Sequence, residues 1–226
     1  MNKGSDALCR RLAYTFRDPA LLARALTHRS KGVNHNERLE FLGDSVLNLV
    51  ISSDIYVRFP QLPEGDLTRL RASLVRKPTL AAHARDLELG QYVELGGGEL
   101  KSGGFDRDSI LADALEALIG AIYQDGGLSQ AEAVIRRLYQ SQLEQLDPDS
   151  IPKDAKTQLQ EYLQKHSLPT PSYSIVEITG EAHNQNFVIE CRVNGLADAV
   201  TAEGSSRRIA EQRAAQRALT LLTNTL

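Results

Sequence analysis

The chain has 226 residues, 42% of them hydrophobic and 24% charged, with a formal net charge of −3; this is the profile of a water-soluble globular protein with room for one domain or two. No apolar run approaches the ~20 residues of a membrane helix, and the first residues lack the basic-then-apolar order of a signal peptide, so a cytoplasmic protein without a membrane partner is expected. Cys9 and Cys191 have no neighbouring Cys or His at ligand spacing, which argues against a zinc site or a disulfide framework, and the slightly acidic balance argues mildly against a nucleic-acid partner.

From Asp6 to about Leu146 the periodicity is helical throughout. Leu21, Leu22 and Ala25 form one short amphipathic stretch, Leu39, Leu42, Val46 and Val50 a second stripe, and Leu67, Leu70, Leu74 and Val75 a third. Breakers separate them at Phe59-Pro60, Leu62 to Gly65 and Lys77-Pro78.

The stretch Asn36 to Leu47 carries Glu37, Glu40 and Asp44 at i, i+3 and i+7. At about 100° per residue these fall on one helix face. Like charges on adjacent turns repel, so the face calls for a cation, and Arg38 projects away from all three. Phe41 lies close to the acidic face and away from the Leu39/Leu42/Val46 stripe, so it needs a partner surface such as a second copy of the chain. Gly43, at the stripe's edge, costs helix propensity and is read as admitting a neighbouring helix.

Residues 94–105 contain five glycines, too many for a helix or a stable strand, and are expected to form a mobile loop beside the site. The helix that follows sets Ser109, Asp113, Glu116 and Gly120 on one face and Leu111, Leu115, Leu118, Ile119 and Ile122 on the other. Two acidic faces that converge would make an oxygen-lined site for Mg²⁺, which prefers carboxylate and water ligands. The five histidines show no ligand spacing, and neither a nucleophile elbow nor a phosphate loop is present.

Two prolines and three aspartates between Leu146 and Asp154 mark a linker. Beyond it a helix from Ala155 to Gln164 buries Leu159, Tyr162 and Leu163, strands are expected at Tyr173 to Thr179 and Asn186 to Val193, and a short third at Ala197 to Ala202. A last helix, Arg207 to Leu222, sets Ala210, Ala214, Ala218 and Leu221 along one side. The order is α-β-β-β-α. Its seven bases and eight acids balance, yet Gly204 to Arg208 offers a serine-capped helix start with two arginines for phosphate. Thr157, Gln160, Glu161 and Gln164 on the first helix, with the turn containing His183, present hydrogen-bonding groups suited to ribose hydroxyls.

These motifs resemble bacterial ribonuclease III over essentially the whole chain. The run Asn-Glu-Arg-Leu-Glu-Phe-Leu-Gly-Asp-Ser at 36–45 is similar to the family signature, and Lys-Ser-Gly-Gly-Phe at 101–105 with Ser109 to Gly120 to its second acidic motif. Lys156 to Leu163, Gly180 to His183 and Gly204 to Gln212 resemble a double-stranded RNA-binding domain. The resemblance implies an all-helical catalytic and dimerisation domain at 1–146, a linker at 147–154, and an α+β double-stranded RNA-binding domain at 155–226. It implies a homodimeric, Mg²⁺-dependent endonuclease, with Mn²⁺ as a substitute, that cuts duplex RNA to 5′-phosphate and 3′-hydroxyl ends with two-nucleotide 3′ overhangs, as in processing of ribosomal and other structured precursors.

By motif match Glu40, Asp44, Asp113 and Glu116 are the metal carboxylates, with Asp44 and Glu116 catalytic, and Glu37 and Glu64 are secondary acids of the cleft. Phe41 matches the aromatic of the dimer interface, and Thr157, Gln160, Glu161, Gln164, His183, Ser206, Arg207 and Arg208 match RNA-binding positions. Glu211 departs from the pattern, standing where a further base often follows the two arginines. The competing reading is a non-catalytic double-stranded RNA-binding regulator, from which the loss of at least one acid would be expected.

Overall fold

A computed structural model describes residues 3–148, 154–181 and 185–224. The chain divides into two compact units, Met1–Ile151 and Pro152–Leu226, and most of the expected linker, 149–153, lies outside the described residues.

The first unit is helical: α1 Lys3–Leu12, α2 Pro19–Ala25, α3 Glu37–Arg58, α4 Glu64–Val75, α5 Lys77–Asp86, α6 Gly97–Lys101, α7 Asp108–Gly126 and α8 Leu128–Glu144. Local chemistry sets several boundaries. The Asp18 carboxylate accepts the Ala20 N–H and Pro19 opens α2, while Pro78 sits in the first turn of α5, where its missing N–H costs nothing. In α3 the stripe Leu39, Val46, Leu47, Val50, Ile51 and Ile55 is buried.

Two expectations are corrected here. The helix read as having one acidic and one apolar face is α7, and it is buried on nearly every side from Ile110 to Ile122, sparing Asp113 and Glu116. It is the central helix, with α2, α3, α5 and α8 packed round it. The glycine-rich 94–105 segment contains α6 and a 3₁₀ turn at Gly104–Asp106. It is tied down through Glu94, whose N–H donates to the Leu26 carbonyl at 2.7 Å while its own carbonyl accepts from His28 N–H at 3.0 Å. Gly96 also donates to the Ser30 hydroxyl at 2.9 Å. A Cβ on Gly96 would fall 2.2 Å from the Ser30 carbonyl oxygen. That glycine serves close contact between two chain segments, which composition alone reads as looseness.

The second unit runs α9 Ala155–Lys165, β1 Ser172–Thr179, β2 Asn186–Arg192, β3 Val200–Gly204 and α10 Arg207–Asn224. The antiparallel sheet has the order β1-β2-β3 and pairs Ile189 with Ile175 on one side and with Ala202 on the other. Alternation along β2 buries Ile189 and Cys191 against Ala210, Ala214, Ala215 and Ala218 of α10 and Leu159 and Leu163 of α9. Alanines let α10 lie close: a Cβ on Gly204 would come 2.6 Å from the Ala210 nitrogen. The third strand starts three residues later than expected, because Gly195 at φ +108° turns the chain first. On α10 Leu222 is buried where Leu221 was expected, and Leu221 is 48% exposed. Among the described residues no helix is long and apolar enough to cross a membrane.

Candidate active site

The crossing of α3 over α7 builds the site. A Cβ on Gly43 would lie 1.7 Å from the Glu116 carbonyl oxygen, and one on Gly120 would lie 2.2 Å from the Leu39 carbonyl oxygen. Only hydrogen fits at either place, so the two helices meet backbone to backbone. The consequence is local: the α3 turn holding Glu40 lies against the α7 turn holding Glu116.

Glu40, Asp113 and Glu116 each offer a carboxylate oxygen, and these oxygens lie within 4.8 Å of one another; among the described residues no other group of three His, Cys, Asp or Glu does so. Asp44, one turn along α3, is exposed, and its carboxylate accepts from the Asn48 amide at 2.8 Å. Its charge still reaches Glu116. Burial, followed by the charges of Asp44, Glu40 and Asp113, pushes the Glu116 carboxyl up to about 8 against the pull of Lys77. Burial and Asp113 also raise Glu40. The donor set is all carboxylate oxygen, partly buried and over-supplied with negative charge, which fits a hard divalent cation.

Of the secondary acids, Glu37 lines the same cleft as Glu40 and Asp113 and its charge helps raise Glu40, but it stands outside the group of three, paired with Arg29 at 3.1 Å and 3.7 Å from His35. Glu64 opens α4, is exposed and accepts from the Thr68 hydroxyl at 2.7 Å; it does not join the cluster within one chain. Phe41 is 78% exposed.

Beside the carboxylates lies a cleft of about 330 Å³ whose walls include His28, Arg29, Glu40, Lys77, Glu99, Arg107 and Asp113. Its cations include basic partners of the kind the acidic face calls for, brought from other segments of the chain. Arg29 pairs with Glu37, Arg107 with Glu99 at 2.9 Å, and Lys77 Nζ stands 3.4 Å from Asp113. Sequence reading missed all three, since Lys77 and Asp113 are 36 positions apart and no local pattern links them. A larger groove of about 670 Å³ between α3 and α8 lies elsewhere, around Asp54 and Arg136, which form their own ion pair.

In the second unit α9 leaves Thr157, Gln160, Glu161 and Gln164 exposed, with Asp154 capping the helix by accepting the Thr157 N–H. Ser206 accepts the Ile209 N–H at the start of α10, and Arg208 is exposed beside it. His183 lies outside the described residues. Glu211 is buried and clasped by Lys156 at 2.7 Å and Arg207 at 2.8 Å. Burial alone would raise its carboxyl, but those two cations hold it below the usual range. It thus joins α9 to α10 and fixes the arginine side chain, a role invisible while it is counted only as one base fewer.

A model of the Ribonuclease-III-like family matches residues 18–143, and one of the double-stranded RNA binding motif matches 155–222. Ribonuclease 3 of Vibrio parahaemolyticus is 54% identical over 99% of this chain and 100% of its own length. That of Pasteurella multocida is 54% identical over 98% and 99%. Among solved structures, the nuclease domain of ribonuclease III from Campylobacter jejuni superimposes with a TM-score of 0.60 at 43% identity, covering 63% of this chain and 97% of that one. A second structure of that domain, with a TM-score of 0.59 at 43% identity over 60% of this chain and 95% of that one, concerns flexibility in the region involved in dimer formation.

Proposed function

The chain belongs to the ribonuclease III family, endonucleases of double-stranded RNA, and from that premise we propose that Glu40, Asp44, Asp113 and Glu116 hold the divalent cation of the reaction, Mg²⁺ with Mn²⁺ as a substitute. The observation that carries this reading is the gathering of three carboxylate oxygens within 4.8 Å beside an open cleft. Bound there, the cation supplies Lewis acidity toward water and the departing 3′-oxygen. Glu116 carries a proton at neutral pH when its neighbours' charges are uncompensated, and must release it to serve as a ligand. Asp113 and Glu40 share the same charge, and Asp44 adds to it from the exposed side. Glu37 and Glu64 act at the margins of the cleft. The products are 5′-phosphate and 3′-hydroxyl ends with two-nucleotide 3′ overhangs, and the substrates include ribosomal and other structured precursors in the cytoplasm.

The domains run 1–146 and 155–226 with a linker at 147–154. The second reads A-form shape rather than sequence: Thr157, Gln160, Glu161 and Gln164 face ribose hydroxyls with His183, while Ser206, Arg207 and Arg208 take phosphate. Two copies associate through a surface that includes the exposed Phe41, each cutting one strand. The regulator reading is not favoured, since relatives matching the full length are ribonucleases and none of the four carboxylates is missing.

Incubating the protein with a long perfect RNA duplex tests this: Mg²⁺ should give short duplexes, and Ca²⁺ binding without cleavage. Intact RNA in Mg²⁺ despite binding would overturn it. Glu116→Gln should lower the cleavage rate at least about 100-fold with folding retained; a wild-type rate removes Glu116 from the centre.

A further inference from the structure

Lys77 opens α5, and nothing in that helix calls for a cation there. A positive charge at a helix N-terminus opposes the helix dipole, and α5 has no acid in its first turn and no side-chain cap. The lysine side chain is 65% exposed, with Nζ 3.4 Å from Asp113 Oδ1. Open ion pairs of this kind add little stability.

The position instead places an ammonium on the wall of the cleft, beside Asp113 of the carboxylate group. Its field reaches Glu40 and Glu116 as well as Asp113. The two arginines of the cleft are engaged with other acids, Arg29 with Glu37 and Arg107 with Glu99. Lys77 is therefore the cleft cation that stands on the cluster itself. An ammonium on a four-carbon stem is a mobile point charge, suited to exchanging one anion for another.

We propose that Lys77 is a substrate-binding residue: it rests on Asp113 while the carboxylates are free, gives up that oxygen when a divalent cation arrives, and then contacts a phosphate of the RNA strand to be cut. The proposal rests on the reading that these carboxylates hold a cation and that the cleft receives duplex RNA. Two positive charges cannot share one carboxylate oxygen cheaply, so the cation and the ammonium compete for Asp113. The displaced ammonium then finds its nearest new anions in the polyphosphate backbone lying in the cleft.

The test uses the full chain with Lys77→Met and Lys77→Arg, two changes at an exposed position whose folding is checked by circular dichroism. Mn²⁺ binding is measured by calorimetry without RNA, and binding of a short RNA duplex in Ca²⁺ is measured across a salt series. Lys77→Met should bind Mn²⁺ about threefold or more tighter and the duplex about threefold to tenfold more weakly, with the slope of log K against log salt reduced by about one contact per subunit. Lys77→Arg should keep the duplex affinity near wild type. An unchanged Mn²⁺ affinity, an unchanged duplex affinity and slope in Lys77→Met, or an Arg variant as weak as the Met variant overturns the proposal. Failure of the wild type to cut duplex in Mg²⁺ would instead sink the underlying reading, so the two failures are distinct.

Discussion

At Glu116 burial and the negative charge of its neighbours act together to hold a proton, and that protonation ties stability to metal binding. With its carboxyl raised to about 8 from the ordinary carboxylate value, the folded protein keeps a proton that the unfolded chain has released. The contribution of Glu116 to the stability of the metal-free protein should therefore fall as pH rises from the usual carboxylate range to about 8 and level off above it, while His28 and His83, held below their ordinary value by burial, act in the opposite sense in the acidic part of that window. A divalent cation has to replace that proton, so its apparent affinity should strengthen across the same window. Melting temperatures with and without Mn²⁺ at pH 5 and pH 8 check both: the increment from metal should be larger at pH 8. An equal increment at both values would show that Glu116 is not among the ligands. The carboxylates themselves were legible in the sequence, because helical spacing alone brings Glu37, Glu40 and Asp44 to one face. Lys77, Arg29 and Arg107 were not. They come to the cleft from other segments, and a charge brought in by tertiary packing leaves no local pattern.

At the scale of elements, the decisive contact is between two helices whose backbones touch. Gly43 read correctly as an opening for another helix, and the partner proves to be α7 at Glu116 itself. Gly43→Ala should cost about 3 kcal/mol or more, at the upper end for overpacking, since a methyl 1.7 Å from a carbonyl oxygen can be relieved only by separating the helices. Because the same contact sets Glu40 against Glu116, such a variant should also lose Mn²⁺ affinity in whatever fraction remains folded. Denaturant melts and Mn²⁺ calorimetry would show this, and wild-type stability would mean that α3 and α7 slide freely. The elements that were misread share a cause. Periodicity reports how a segment contrasts its own faces, so it described α7 as two-sided when neighbours cover it on nearly all sides. Composition reports intrinsic flexibility, so it left no helix in 94–105, which holds α6 and a 3₁₀ turn and is joined to residues 26–30 through Glu94 and Gly96.

For the whole molecule, net charge was a poor guide, since a chain at −3 belongs to a family that binds a polyanion. What matters is placement. Acids are gathered on the α3 and α7 turns that meet, while Lys77, Arg29 and Arg107 face into the adjacent cleft and Arg208 stands open at the start of α10. The proposal of self-association rests likewise on placement, on one aromatic out of place. Phe41 is 78% exposed on the helix that also exposes Leu49 at 56% and Tyr56 at 71%, more apolar surface than one helix of a lone subunit needs to show. Phe41→Asp should therefore leave the fold of each subunit intact, because the side chain loses no packing within its own chain, yet weaken self-association by about tenfold or more. Sedimentation at micromolar concentration would report monomers with an unchanged circular dichroism spectrum. Coordinated cutting of both strands should weaken with it, giving nicked duplexes in place of short products. Undiminished dimers would move the interface away from this face of α3, and the exposed aromatic would then require another partner.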